Sequence, residues 1–330
     1  LKYGFEAPGT GRLAGPDALT RVARHGEELG FEHVSLGDHI VVPRTIDSTY
    51  PYTDSGDFAG VWAHTEGSTD TGIMFEQLTV LAYLAACTDT IRLLSSVSVL
   101  PYREPVLTAK ILSTIDVLSG GRLDVGCGAG WMEEEFVALQ SPPYARRGAV
   151  TNEYIAAFKT LWTADDPEFA GEFVSFANIA FEPKPVQKPH PPIWIGGESP
   201  PAVRRAARHA DVWYPFGNNP RHLLDTLERL KAGIDGLRDE TEKAGRDRDA
   251  VRIAYSAEMF YTDAGPQYTI DGNRHLLTGE PEQVAEDIAA MADLGVEQLM
   301  LDYQGPTIDE TMSRMDRFAT EVRPLVGDIP

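Results

Sequence analysis

The stretch Pro105–Gly128, PVLTAKILSTIDVLSGGRLDVGCG, decides the fold. Pro105 suits a first helical turn, where its fixed φ is already helical and its missing N–H would have no partner. Leu107, Ile111, Ile115 and Leu118 recur at helical spacing and predict one buried stripe. Gly120-Gly121 stops the helix, and Arg122 to Gly128 then reads as a short strand. In a strand alternate residues share a face, so Leu123, Val125 and Cys127 point one way and Asp124, Gly126 and Gly128 the other. The same unit recurs in both directions. Pro16 to Leu29 and Pro281 to Leu294 open on proline and end at Gly30 and Gly295. Strands are predicted to begin near Lys2, His33, Ile91, Arg122, Ile193, Asp211, Val251 and Glu297. Eight strands alternating with helices predict a parallel α/β sheet, and eight is the number that closes a (β/α)8 barrel. An open doubly wound sheet is the alternative. No G-x-G-x-x-G follows the first strand, which counts against its dinucleotide-binding form.

Composition narrows the function. The 330 residues carry 29 basic and 50 acidic side chains, a formal charge of −21. A nucleic-acid backbone needs a basic stripe, so no nucleic-acid partner is expected. Any anionic ligand must be held by a local device. No apolar run reaches the roughly 18 residues of a membrane span. Two cysteines, Cys87 and Cys127, make no disulfide framework, and a reducing cytoplasm is the simplest compartment. Leu1-Lys2-Tyr3-Gly4-Phe5 does not read as a signal peptide, and without a starting Met a few residues are expected to precede it. Two gaps between strands are long. Residues 40–70 follow the second strand and residues 140–190 follow the fourth, and both read as insertions into one domain spanning 1–330. The second holds a helix from Tyr144 to Trp162, a β-like stretch from Phe169 to Phe176 and a proline-rich lead-in, and is expected to act as a lid.

Barrel active sites lie at the C-terminal ends of the strands, so the residues just after each strand are the candidates. After the second comes Gly37-Asp38-His39; a histidine there could act as acid, base or charge stabiliser, or be a structural group held by Asp38. After the third comes Ser95-Ser96-Val97-Ser98, small residues that suit close approach of a ligand or simple filling of the barrel. After the fourth, Gly126, Gly128 and Gly130 would leave room for a flat ring, with Trp131 as a wall, while Cys127 on the opposite face should pack. After the fifth, Gly196-Gly197-Glu198-Ser199 leads into a helix beginning Pro200-Pro201, and a helix N-terminus can hold a phosphate. Glu198 would then have to turn its carboxylate away. The eight histidines are scattered, and no H-x-H, H-E-x-x-H, G-x-S-x-G or Walker loop occurs, so no metal is expected.

Several motifs in fixed order carry a resemblance. Leu100-Pro101-x-Arg103-x-Pro105, Ala109-Lys110, Leu118-Ser119-Gly120-Gly121-Arg122-Leu123, Gly126-x-Gly128-x-Gly130-Trp131, Arg146-Arg147-Gly148, Leu161-Trp162 and Pro191-Pro192-Ile193-Trp194-Ile195-Gly196-Gly197 resemble the bacterial luciferase-like family. The match looks closest to the actinobacterial branch that uses the deazaflavin coenzyme F420. The resemblance implies a luciferase-like TIM barrel that binds FMN or the deazaflavin at its mouth. It implies that Asp38 and His39 lie beside the reactive ring, that Ser96-Val97 is a non-prolyl cis peptide on which the ring leans, and that Gly196, Gly197, Glu198 and Ser199 hold the phosphate. One departure stands out. Sugar-phosphate dehydrogenases of the family carry a proton-donating Glu where Trp131 stands, so sugar-phosphate oxidation is not expected.

The leading expectation is hydride transfer between coenzyme F420 and a small organic substrate, with His39 as the catalytic group. The alternative is an FMN-dependent monooxygenase that uses oxygen and a separate flavin reductase, and a third reading is a non-catalytic flavin carrier. From loop position, Tyr50, Trp62, His64, Trp131, Tyr255, Glu258 and Tyr303 are candidates for the substrate pocket. A homodimer is expected because barrel helices in the resembled family often pair.

Overall fold

The computed structural model describes residues 1–53, 55–58, 73–257, 265–269 and 271–327. The predicted strands all form: β1 Lys2–Glu6, β2 His33–Leu36, β3 Arg92–Ser95, β5 Leu123–Gly128, β8 Ile193–Gly196, β9 Val212–Tyr214, β10 Arg252–Ala257 and β11 Val296–Leu301. β4 (Ser98–Val99) continues β3 beyond a break at Ser96-Val97, and β6 (Phe169–Ala170) and β7 (Ser175–Phe176) form a separate antiparallel hairpin. Every pairing within the main sheet is parallel. β1 pairs with both β2 and β11, and β3 pairs with β5, so the sheet closes into a barrel of eight strands.

Side-chain alternation sorts two cores. Leu94, Trp194, Val212, Tyr214, Ala254 and Met300 fill the barrel interior, with Val97 packed against them. The opposite faces, including Leu123, Val125, Cys127, Ile193, Ile195, Ile253 and Leu299, pack outward under the helices. Cys127 is therefore a packing residue, as its strand parity predicts.

The helices between the strands include α1 Pro16–Glu28, α2 Gln77–Cys87, α3 Pro105–Leu118, α4 Glu133–Ala138, α5 Arg147–Thr163, α6 Pro200–His209, α7 Leu227–Lys243, α8 Pro281–Asp293 and α9 Ile308–Arg317. Two expectations need correction. On α3 the buried face is Pro105, Thr108, Ala109, Leu112, Ile115 and Asp116, while Leu107 and Leu118 are 59% and 66% exposed. The small residues Thr108 and Ala109 let the helix lie close to the sheet, which turns the larger stripe outward. The second insertion is also not a lid as a whole. Its helix α5 buries Val150, Tyr154, Ile155, Phe158, Leu161 and Trp162 in the main core, so α5 is the barrel's own helix between β5 and β8. The proline-rich lead-in to β8 is tied to α3, where Gln187 donates to both carboxylate oxygens of Asp116. Among the described residues no helix is long and apolar enough to cross a membrane.

Candidate active site at the barrel mouth

The break between β3 and β4 is the non-prolyl cis peptide Ser96-Val97. Its surroundings explain the glycines of β5. A Cβ on Gly126 would overlap the carbonyl oxygen of Ser95, one on Gly128 would lie 2.6 Å from Val97 Cγ2, and one on Gly196 would lie 3.2 Å from Val97 Cγ1. The space above Gly126 and Gly128 is therefore taken by the bulge and by Val97, not left open for a ring. Gly130, at φ 81°, approaches Val99 and Phe136. The bulge is pinned on several sides. Ser96 N–H donates to Leu36 O (2.8 Å), Ser95 Oγ donates to Gly126 O (3.1 Å) and accepts from Gly126 N–H (2.9 Å). Ser98 Oγ bonds to Gln77 Oε1, and Gln77 Nε2 donates to Leu36 O. Ser96 Oγ meets the Tyr214 hydroxyl at 3.1 Å, and that hydroxyl donates to Ser256 Oγ. Burial pushes the Tyr214 phenol up to about 12, so it stays neutral in ordinary buffers.

Asp38 and His39 leave β2 in different directions. Asp38 is buried, and its carboxylate accepts from the two terminal Arg103 guanidinium nitrogens (2.7 and 2.8 Å) and from the Val99 amide (2.8 Å). Arg103 also pairs with Glu76. The Asp38 carboxylate thus braces the bulge; its hydrogen bonds run to protein groups. His39 is not held by Asp38. Its Nδ1 lies 2.6 Å from Glu135 Oε2, and Glu135 Oε1 accepts the amides of Ile40 (2.6 Å) and Val41 (3.1 Å). The His39 ring packs against Phe58 at 5.0 Å and meets Trp131 edge-on at 6.0 Å. Tyr50, Phe58, Met132 and the partly buried Trp131 form one apolar cluster, so the described part of the first insertion and the Trp131 loop make a common wall.

At the end of β8, Gly197 has φ 103°, and Ser199 caps α6 with no side-chain capping bond. The first amides of a helix have no helical partner. Here Pro200 and Pro201 carry none, which leaves the amides of Ser199 and Ala202. Glu198 does turn away, with its carboxylate accepting from Phe216 N–H and from Asn219 Nδ2 (2.9 Å). Burial pushes the Glu198 carboxyl up to about 7, against the pull of those two donors. Arg147 is tied to the Gly130 loop, with its Nε donating to Gly130 O and its guanidinium 3.9 Å from the Tyr144 ring centre.

Two pocket candidates are corrected. Tyr255 and Tyr303 are 3% and 2% exposed and belong to the outer core, not to a pocket. Tyr255 lies on the outward face of β10 with Ile253, and its hydroxyl donates to Leu224 O. Tyr303 packs among Phe31 and Phe318. Trp62, His64 and Glu258 lie outside the described residues. The sequence reading missed Glu135, Tyr214 and the role of Arg103. For Glu135 the signal was a run of three acids, Glu133-Glu134-Glu135, at a helix start. A separate cavity of about 640 Å³ opens at the opposite, N-terminal end, lined by Lys2, His33, Arg92, Asp124, Trp194 and Gln298 among others.

The order of a cis bulge, a strand-end histidine and a glycine-led helix start can now be set beside known proteins. A model described as luciferase-like monooxygenase matches residues 4–268. The chain belongs to the luciferase-like family. A relative within it, the FMNH2-dependent dimethylsulfone monooxygenase of Pseudomonas putida, is 28% identical over 304 residues, covering 77% of this chain and 79% of that one. Among solved structures, the monooxygenase RslO1 from Streptomyces bottropensis superposes with TM-score 0.74 at 22% identity, covering 98% and 99% of the two chains. The coenzyme F420-dependent tetrahydromethanopterin reductase of Methanopyrus kandleri superposes with TM-score 0.71 at 16% identity, over 98% and 99%. Luciferase-like chains are oxidoreductases and monooxygenases, and this chain is an enzyme of that kind.

Proposed function

We propose that the mouth binds a deazaflavin of the coenzyme F420 type and that the enzyme passes a hydride between it and a small organic substrate. The observation that carries the reading is the Val97 side chain, packed over Gly126, Gly128 and Gly196 on a segment pinned by Tyr214, Gln77 and Leu36. A rigid apolar step of this kind suits a flat ring, which needs a fixed surface more than it needs hydrogen bonds. When bound, the deazaflavin supplies the hydride chemistry; the chain supplies position and proton handling. Val97 would support the ring. The amides of Ser199 and Ala202 would hold the phosphate, and Glu198 keeps its carboxylate turned from it. His39 would hold or move a proton at Nε2, the ring nitrogen away from Glu135. Trp131, Tyr50 and Phe58 would keep water from that nitrogen.

Two features support the deazaflavin over FMN. The motif order resembles that of the F420-using branch. The prolines at the start of α6 also leave few donors, a set better suited to a singly charged phosphodiester than to the nearly doubly charged monoester of FMN. The FMN monooxygenase reading has its own support in the similarity to the dimethylsulfone monooxygenase, whose name specifies FMNH2. Equilibrium titration with both cofactors decides between them. The proposal expects F420 to bind at least about tenfold more tightly, a difference of about 1.4 kcal/mol. Tighter FMN binding, with oxygen uptake when reduced FMN is supplied, would replace it with the second reading.

A further inference from the structure

We infer that Glu135 is a positioning residue that sets which nitrogen of His39 carries the proton. The inference rests on the reading of the mouth as a redox site and deepens it by naming the state of the imidazole before anything binds. The geometry is specific. Two backbone N–H groups and one imidazole nitrogen converge on one carboxylate, with Ile40 and Val41 at Oε1 and His39 Nδ1 at Oε2. The Glu135 side chain is 0% exposed, so water does not compete for either oxygen. A carboxylate only accepts, and the two backbone amides at Oε1 can only donate. The proton between Glu135 and His39 therefore sits on Nδ1, and a neutral His39 then carries its lone pair on Nε2. The buried Tyr102 hydroxyl lies close to the same carboxylate. Among the described residues no lysine or arginine is paired with Glu135, so its charge is balanced by amide dipoles and by the imidazole itself.

The ring is also fixed in orientation. Phe58 and Trp131 pack against it while the Glu135 bond holds one edge. Because the same carboxylate holds the amides of the next two residues, the backbone leaving β2 and the histidine tautomer are set by one side chain.

The substitution Glu135→Gln turns this into a sharp test. Its amide oxygen can keep the Ile40 and Val41 bonds, but its NH2 would then face Nδ1 and donate to it. The tautomer should invert, with the proton moving to Nε2. The measurement is the side-chain 15N spectrum of histidine-labelled protein without cofactor, at mildly alkaline pH where an ordinary imidazole is neutral. Loss of signals in His39→Asn assigns the resonances. The wild-type chain should show a protonated Nδ1 and an unprotonated Nε2, and Glu135→Gln should show the reverse. Turnover in Glu135→Gln should fall by roughly 10²-fold, with cofactor affinity changed by less than about threefold, and Glu135→Asp should recover part of the rate. An Nε2–H tautomer or an imidazolium in the wild-type chain overturns the inference, even if no variant folds. An unchanged tautomer in a folded Glu135→Gln also overturns it. The spectrum needs no cofactor, so failure of F420 to bind would sink the proposed function and leave this result standing.

Discussion

The barrel holds a buried acid–histidine pair at each end, and the two are built differently. At the N-terminal floor, His33 Nε2 meets Asp124 at 2.8 Å, and Arg92 grips the same carboxylate through Nε (2.6 Å) and Nη2 (2.9 Å). At the mouth, Glu135 meets His39 Nδ1 at 2.6 Å and is otherwise satisfied by backbone amides. The floor pair is locked by a full guanidinium charge. Burial alone would raise the Asp124 carboxyl, but the bonds from His33 and Arg92 bring it below its ordinary value. Among the described residues the mouth pair has no such cation. The difference separates a cluster built for stability from one that leaves an imidazole able to work. It also argues for the mouth over the 640 Å³ floor cavity as the site of chemistry.

The comparison breaks first at the floor. Asp124→Ala leaves the buried His33 and the half-buried Arg92 without their acid and should cost about 3 kcal/mol in urea unfolding. Because the folded Asp124 carboxyl is lowered, its contribution is present above its unfolded value near 4 and is lost as pH falls toward the folded value. The acid limb of the stability curve should therefore flatten in Asp124→Asn. Cofactor affinity should change little in either variant.

Glu198 gives an effect of opposite sign at the mouth. Its carboxyl is raised to about 7, so the folded chain binds the extra proton and stability falls as pH rises from the ordinary carboxylate range to about 7. A shift of this size corresponds to at most about 3 kcal/mol. Glu198→Gln should remove that slope in thermal melts across the window. It should also remove any weakening of F420 binding over the same range, because the charge that appears beside the phosphate loop would be gone.

Gly126→Ala would drive a methyl group into the Ser95 carbonyl and should cost about 1–3 kcal/mol by overpacking. Displacing the bulge should weaken cofactor binding at the same time, read by titration. The smallest effect is expected at Tyr255. Tyr255→Phe loses one bond to Leu224 O, worth about 1 kcal/mol, and turnover should not change. A large loss of turnover there would mean that its assignment to the outer core is wrong.

The eight strands were legible because each is a short apolar run between punctuating glycines, prolines or acids, and their number pointed to closure. The candidate site was legible in part. His39, Ser96, Val97 and the Gly196–Ser199 loop stood out by position at strand ends and by family resemblance. Tyr255 could have been rejected on parity, because Ile253 and Tyr255 share the outward face while Ser256 points inward toward Tyr214. What the glycines of β5 accommodate was not legible, since the atoms that fill their space come from the neighbouring strand. Glu135 was hidden in its own run. Glu134 accepts the amides of Asp47 and Ser48, Glu135 those of Ile40 and Val41, and only the phase of α4 tells them apart.

The central claim is that the cofactor seats against the Val97 bulge with its phosphate at the start of α6. Amide hydrogen exchange with and without F420 tests it most directly. Slowed exchange at residues 96–98 and at Ser199 and Ala202, with none at Arg92, Asp124 or Gln298, is the expected result. Protection confined to the floor residues, or none at the mouth under saturating F420, would contradict it.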